Sequence, residues 1–388
     1  MNRRYSARST AFALLTVLAA TAPASAHVKW FAPYIVGAAP QRLSATLGNV
    51  WFWTAIVLVL GFFLATRAVE LSGPGQRLLL GMDRVSGLVW HRADDFMRVA
   101  VGTFFVAIFA VGGVYLTPDL ATPSEWVSWF QLLIAAGIFW RRTMPLSAAG
   151  IILLWAIALR DYDLFHLLDY LAIGIGVAGY LVLAASDRAD WHRHRFEFLR
   201  WGVAIALMWS SLEKFAYPDW FHPLVEEKPY LTFGLPRDVF IPMAGVAEFT
   251  MGFGLLWTPL VRKLSAVALL VIFLTAVWPF GRVDMIGHAL IMATIVLIAL
   301  DPQRELHVLR ALRASIATIP LALAGALVAF AMTYWGLHRT IYRPDGATGP
   351  ASMATHSHNP EEPHGPRDSG GIGAPSSRTD APAGWVSP

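Results

Sequence analysis

The chain has 388 residues, 56% of them hydrophobic and 14% charged, with a mean hydropathy of +0.52 and a formal net charge of +4. That composition excludes an ordinary soluble enzyme with one core and points to a polytopic membrane protein. With no cysteine, disulfides, thiolate metal sites, thiol-ligated iron–sulfur clusters and cysteine nucleophiles are excluded too, leaving a bound organic molecule, a haem or a His/carboxylate metal for any redox role.

The first segment is tripartite: basic "MNRRYSAR", apolar "AFALLTVLAATA" and "ASA" before His27. It predicts a secretory signal peptide over 1–26, with an uncleaved first helix as the other reading. Export places the protein in a bacterial inner membrane with its mature N-terminus in the periplasm.

Ten apolar runs follow, near 49–66, 99–116, 127–140, 146–159, 168–185, 198–213, 239–257, 264–279, 285–300 and 314–336. Several fall short of the roughly 20 residues a membrane helix needs, the third and fourth most clearly, on either side of "RRTMP". With the N-terminus outside, the inside segments (67–98, 141–142, 186–200, 262–263, 301–313) hold sixteen Lys/Arg, against seven outside before the tail. This is the expected cytoplasmic bias. The basic charge is therefore mostly topology, and nucleic acid is excluded as a partner. Residues 339–388, rich in Pro, Gly, Ser, Asp and His, predict a disordered periplasmic tail.

An internal repeat organises the middle of the chain. "FMRVAVG" at 96–102 matches "FLRWGVA" at 198–204, and "YLTPDL" at 115–120 matches "FAYPDW" at 215–220. "SWFQLLIAAGIFW", ending at Trp140, lies over "GVAEFTMGFGLLW", ending at Trp257, and "LSAAGIILLWAIAL" lies over "LSAVALLVIFLTAV". Two parallel four-helix copies follow, 96–187 and 198–301, because an even number of spans keeps both in one direction. The expected architecture is all-α: about ten transmembrane helices, with one flanking helix in 27–95 and another at 314–336.

The copies differ in their ionisable groups: Glu248 lies over Gln131, Lys214 over Val114 and Glu213 over Gly113, and the second copy has an extra outer loop, "FHPLVEEKPYLTFGLPRDV". An acid such as Glu248 in the middle of a membrane helix costs about 2.5 to 3.5 kcal/mol on insertion scales, so intramembrane acids are functional by default. Glu248, Lys214, Glu213, Arg282, Asp284 and His288 are the candidate proton or ligand site. The alternative is that Glu248 pairs with Lys214 or Arg282 only to fix helix register, leaving Asp284 and His288 in a wet loop.

These residues resemble the DoxX-like, or DoxD-like, family of integral membrane proteins. The resemblance covers the second copy: "LRWGVAIALMWSSLEKF", "GVAEFTMGFGLLW" and "VRKLSAVALL", with Arg200, Lys214, Glu248, Gly252, Gly254, Arg262 and Ala266 on its pattern. The first copy reads as a degenerate version. The resemblance implies a four-helix unit associated with respiratory-chain or sulfur-compound oxidation to quinone, as in the DoxD-type subunit of thiosulfate:quinone oxidoreductase.

Cleavage after Ala26 makes His27 a candidate copper ligand through its amine and imidazole, with His166, His222 or His288 as a second ligand. "HSH" at 356–358 and "WHRHRF" at 191–196 read as solvated or headgroup-facing, and Asp161, Asp163, His166 and Asp169 as a hydrated cluster at the outer interface. Three functions remain open: a subunit or accessory of a quinone-linked redox system, a carrier or handling protein for a small solute or copper, and a non-catalytic assembly partner that binds a periplasmic or membrane protein. Whether the protein is itself an enzyme is not legible from the residues.

Overall fold

A computed structural model describes residues 34–302, 318–342 and 355–356. The segment predicted as a signal peptide, His27 and most of the predicted tail lie outside the described residues. Apart from a two-residue antiparallel pairing of Tyr34–Ile35 with Thr355–His356, the regular structure is helical.

The long helices are α1 (Val50–Leu71), α2 (Gly73–Trp90), α3 (Ala93–Val111), α4 (Glu125–Gly137), α5 (Met144–Ala158), α6 (Leu164–Ala185), α7 (Arg195–Ser211) and α8 (Arg237–Gly254). They continue with α9 (Pro259–Val277), α10 (Phe280–Leu300) and α11 (Thr318–Ile341). Five of these, α1, α6, α9, α10 and α11, are long and apolar enough to cross a membrane. Together with the exposed large hydrophobics on helix after helix, such as Val57, Leu133, Leu146 and Leu321, they make this a multi-pass membrane protein, since so much apolar surface is not sustained in water.

Among the described residues a helix occupies most of each apolar run found in the sequence. The segment 67–98, expected as a loop, is mostly α2, started by Ser72, whose hydroxyl accepts from Gly75 N at 3.2 Å, and by Pro74 in the first turn. α9 and α10 meet in a near loopless hairpin: Gly281 turns the chain with φ 77°, a conformation open to glycine. The Lys263 ammonium donates to Ala299 O at 3.1 Å, so the two helices run antiparallel.

Two cores divide the bundle. The first gathers α3 to α6 around Met97, Val101, Ile134, Ile151 and Leu181, and α10 adds Leu290 and Leu297 to it. The second gathers α7 to α9 around Val203, Phe249 and Val261, with α1 (Phe52, Phe63) and α11 (Leu323, Tyr334) docked on it. The groups also meet where α6 crosses α7: a Cβ on Gly202 would lie 2.8 Å from Gly176 Cα, so only glycines permit this approach. The last helix of each group thus packs on the first helix or core of the other.

One end of the bundle carries the connections 112–124, 159–163 and 212–236 and is called the upper end. The lower end is tied by ion pairs: Arg195 makes two bonds to Asp94, at 2.7 and 2.8 Å, joining α7 to α3. Arg200 pairs with Asp301, both fully buried. Glu70 of α1 accepts from Thr258 Oγ1 at 2.6 Å, and Lys263 lies 3.5 Å from Asp83 of α2.

Candidate functional site

Glu248 lies midway along α8 and is 8% exposed. Its Oε2 accepts a 2.6 Å hydrogen bond from the ammonium of Lys214, itself 5% exposed. Lys214 stands in a single helical turn, Glu213–Ala216, directly after α7. It reaches α8 because residue 245 is glycine: a Cβ there would lie 2.8 Å from the Phe215 ring and 3.0 Å from Lys214 Cβ. The Lys214 ammonium also lies 4.8 Å from the centre of the Phe221 ring, a cation–π contact. Two charges this deep are tolerable only as a pair; removing one partner of a buried pair costs about 3–5 kcal/mol.

The pair faces an open-mouthed cavity between the two groups of helices. Most of the wall is apolar, with Phe104, Phe105, Ile173, Leu207, Phe273 and Ile291 contributing from five helices. Polar groups collect on two sides. On one side stand Glu213, Lys214, Glu248 and His288. Glu213 and His288 are close enough to act electrostatically on Glu248. The His288 ring nitrogen Nδ1 lies 3.1 Å from both the main-chain oxygen and Oδ1 of Asp284, one turn earlier on α10. Since a carbonyl oxygen only accepts, Nδ1 carries the proton.

The other polar side comes from the first group: Thr117, Asp169 and Tyr170. Asp169 Oδ1 accepts from the Trp209 indole at 2.9 Å, across the α6–α7 contact. The Tyr170 hydroxyl donates to Asp119, whose Oδ2 is also 3.5 Å from His166 Nε2. Here the structure corrects the expected hydrated cluster: His166 and Asp169 are buried, because Trp209, Tyr170 and Asp119 supply the partners that water was expected to give. Asp161 does remain exposed and accepts from the Tyr115 hydroxyl at 2.5 Å. Tyr162, in the connection above α6, donates to Ala121 O at 3.1 Å. Burial first, then the Asp119 carboxylate, pushes its phenol well above the ordinary tyrosine range.

Of the six residues expected to converge, Glu213, Lys214, Glu248 and His288 line one cavity, and Asp284 supports His288 from behind. Arg282 does not join them: it is exposed at the start of α10, beside the Gly281 turn, and does not line the cavity. The partner of Glu248 is therefore Lys214, not Arg282. Asp284 and His288 are buried helix residues, not members of a wet loop, because α10 begins at Phe280 and carries both inward. Residues Tyr170, Ser210 and Phe221 were not assigned to this site from the sequence, which offered Asp169 as part of a related outer polar cluster. Asp169 carried a signal, a carboxylate spaced i, i+3 from His166 on an apolar helix.

The connection between α7 and α8 folds over the upper end as short helical turns, Pro218–Phe221, His222–Glu227 and Pro229–Thr232. Phe221, Val225, Phe240, Ile241 and Ala244 form a small core of their own there, and Phe221 reaches the cavity wall. His166, His222 and His288 stand beside different carboxylates, Asp119, Asp219 and Asp284 respectively. Among the described residues no group of three or more His, Asp or Glu is arranged to hold a metal ion. No protein-family profile, curated protein or solved structure matches the chain.

Proposed function

We propose that this is a DoxX-like inner-membrane subunit or accessory of a quinone-linked redox system, built from two parallel four-helix copies with both mature termini periplasmic. The observation that carries the reading is the cavity between the groups: a large apolar wall with a Lys–carboxylate–His cluster at one side and Asp169 and Tyr170 at another. Ligand sites have this character, mostly apolar with a few convergent polar groups.

Duplication is supported by matching contacts at aligned positions. Gln131 Nε2 donates to the carbonyl oxygens of Val114 and Tyr115 at 2.6 and 2.7 Å, where the second copy has Glu248 accepting from Lys214. Gly137 lies against Ser147 and Gly254 against Ser265, and a Cβ on either glycine would strike the serine hydroxyl. One helix pair thus keeps its packing in both copies, while a neutral amide-to-backbone bond in one is replaced by an ion pair in the other.

The residues fit a quinone-type ring: aromatic and branched side chains for the ring and tail, with Lys214 and His288 at hand for a carbonyl. Such a group supplies two-electron, two-proton chemistry when bound. Lys214 would orient a carbonyl by donation, Glu248 would take or give a proton at its carboxylate, and Phe221 with the surrounding wall would keep bulk water out.

The reading is tested by purifying the protein, extracting its bound lipids and assaying them for quinone, beside Ala206→Trp, which fills the cavity from α7. Quinone should copurify with the parent protein and be absent from a folded Ala206→Trp variant. Lack of quinone in both, with no binding of added short-chain quinone, overturns it.

A carrier for a small solute is the second reading, favoured by the position of the cavity between the two copies, where parallel-repeat transporters hold their substrates. Uptake into proteoliposomes that is lost in Glu248→Gln supports it; no uptake across a solute panel counts against it.

A further inference from the structure

A second, more polar pocket opens at the upper end, with about 660 Å³ of empty space including its mouth. Gln41, Thr46, Asn49, Asp219, His222 and Asp238 line it. The Asp219 and Asp238 side chains are 89% and 81% exposed, so it is an aqueous vestibule. Lys214 lines this vestibule and also lines the membrane cavity, and among the described residues it is the one that both linings share.

We propose that Lys214 is the proton-transferring link between the vestibule and the membrane cavity. The reasoning is geometric. Beside Lys214 the apolar groups are Phe215 and Ile241 on the vestibule side and Phe221 on the cavity side, while Glu213 and Glu248 line the cavity only. Among the described polar residues lining either space, Lys214 is common to both. Its ammonium has three protons and rotates freely about the Cε–Nζ bond. One proton is already held 2.6 Å from Glu248 Oε2.

For inward transfer, Nζ gives that proton to Oε2, leaving a neutral amine beside a neutral carboxyl. The amine then takes a proton from vestibule water, with Asp219, Asp238 and His222 available to resupply it. The result is one added proton on Glu248, with Lys214 restored to its cationic form and the site more positive by one charge. Release to the vestibule runs the same steps in reverse. On the cavity side the ionisable groups facing this path are Glu213, Glu248 and His288, with Asp284 behind His288.

A route of this kind gives the cavity protons from the aqueous side while a hydrophobic ligand occupies the apolar part. The inference rests on the cavity described above, but its test requires no ligand. Because the chain has no cysteine, Ser210→Cys places a single thiol on the cavity wall. Its S–H stretch, followed by infrared in lipid nanodiscs after a switch to D2O, reports proton access to the cavity.

In the Ser210→Cys parent the thiol should exchange. Adding Lys214→Met with Glu248→Gln, which removes both charges together, should slow exchange at least about tenfold, whereas Lys214→Arg should keep it within about threefold of the parent. The proposal is overturned if the double-charge variant, folded by thermal unfolding, exchanges at the parent rate. It is equally overturned if the parent thiol never exchanges. Failure of quinone to bind would leave this readout intact, and a failed exchange test would leave ligand binding intact, so the two proposals fall separately.

Discussion

At the scale of single residues, Glu248 and Lys214 answer to one another. Glu248→Gln leaves a buried ammonium without its carboxylate, and Lys214→Met leaves the reverse; each single change should cost about 3–5 kcal/mol of stability, and the double variant should recover much of that. Thermal unfolding of the three proteins in detergent measures the coupling. Strict additivity would mean that the pair is not formed. The need for a partner was legible in the sequence, because a lone acid in an apolar helix demands one, but Lys214 and Arg282 were both open, and the fold selects Lys214. The Asp119–Tyr170–His166 group was not legible: "YLTPDL" reads as an outer turn, and only the folded connection brings Asp119 onto α6. Tyr162 adds a pH dependence. Unfolded tyrosine loses its proton near pH 10, while folded Tyr162 holds it to higher pH. Above about pH 10 the unfolded state therefore binds fewer protons, and stability falls as pH rises. Tyr162→Phe should make that alkaline fall shallower in a series of unfolding curves, at the loss of a hydrogen bond of about 1 kcal/mol.

At the scale of elements, hydropathy found a helix in every apolar run and missed α2. The reason is physical: Arg77, Asp83 and Arg84, with glycines at 81 and 87, break the apolar pattern, and lower-end contacts such as Lys263–Asp83 rather than a continuous hydrophobic stretch hold α2 in place. The α9–α10 turn was half legible. "WPFGR" marks a break, yet the near absence of a loop follows from one glycine at φ 77°. Gly281→Ala should destabilise the protein by about 1–2 kcal/mol, the cost of a left-handed residue with a Cβ, measured by thermal shift. The α6–α7 crossing is less forgiving. Gly202→Leu would drive a side chain into the Gly176 backbone, and the expected outcome is loss of monodisperse protein on size exclusion. A well-folded Gly202→Leu would contradict the packing between the two groups.

At the scale of the whole molecule, both groups of helices contribute ionisable side chains to one cavity, Asp169 from the first and Glu213, Lys214, Glu248 and His288 from the second. Each group closes its own core with help from the other, so the space between them is the place where side chains of both groups face a common cavity. The first group brings Asp169 and Tyr170, the second Glu248, Lys214 and His288, and the connection 212–236 covers the upper end with Phe221. The convergence of Glu213, Lys214, Glu248 and His288 was legible, but the addition of Tyr170 was not, since residues 170 and 248 share no periodicity or motif and come to line one cavity only through the packing of α6, α7 and α8. The central claim is that the cavity holds a hydrophobic, carbonyl-bearing ring beside Glu248 and Lys214. Its most direct test is a titration of the purified protein with a short-chain quinone, read by quenching of tryptophan fluorescence, in the parent, in Glu248→Gln and in Ala206→Trp. Saturable binding is expected in the parent, weakened in Ala206→Trp by at least about tenfold, or 1.4 kcal/mol, and weakened or altered in its pH dependence in Glu248→Gln; equal binding by all three folded proteins, or none by the parent, would contradict it.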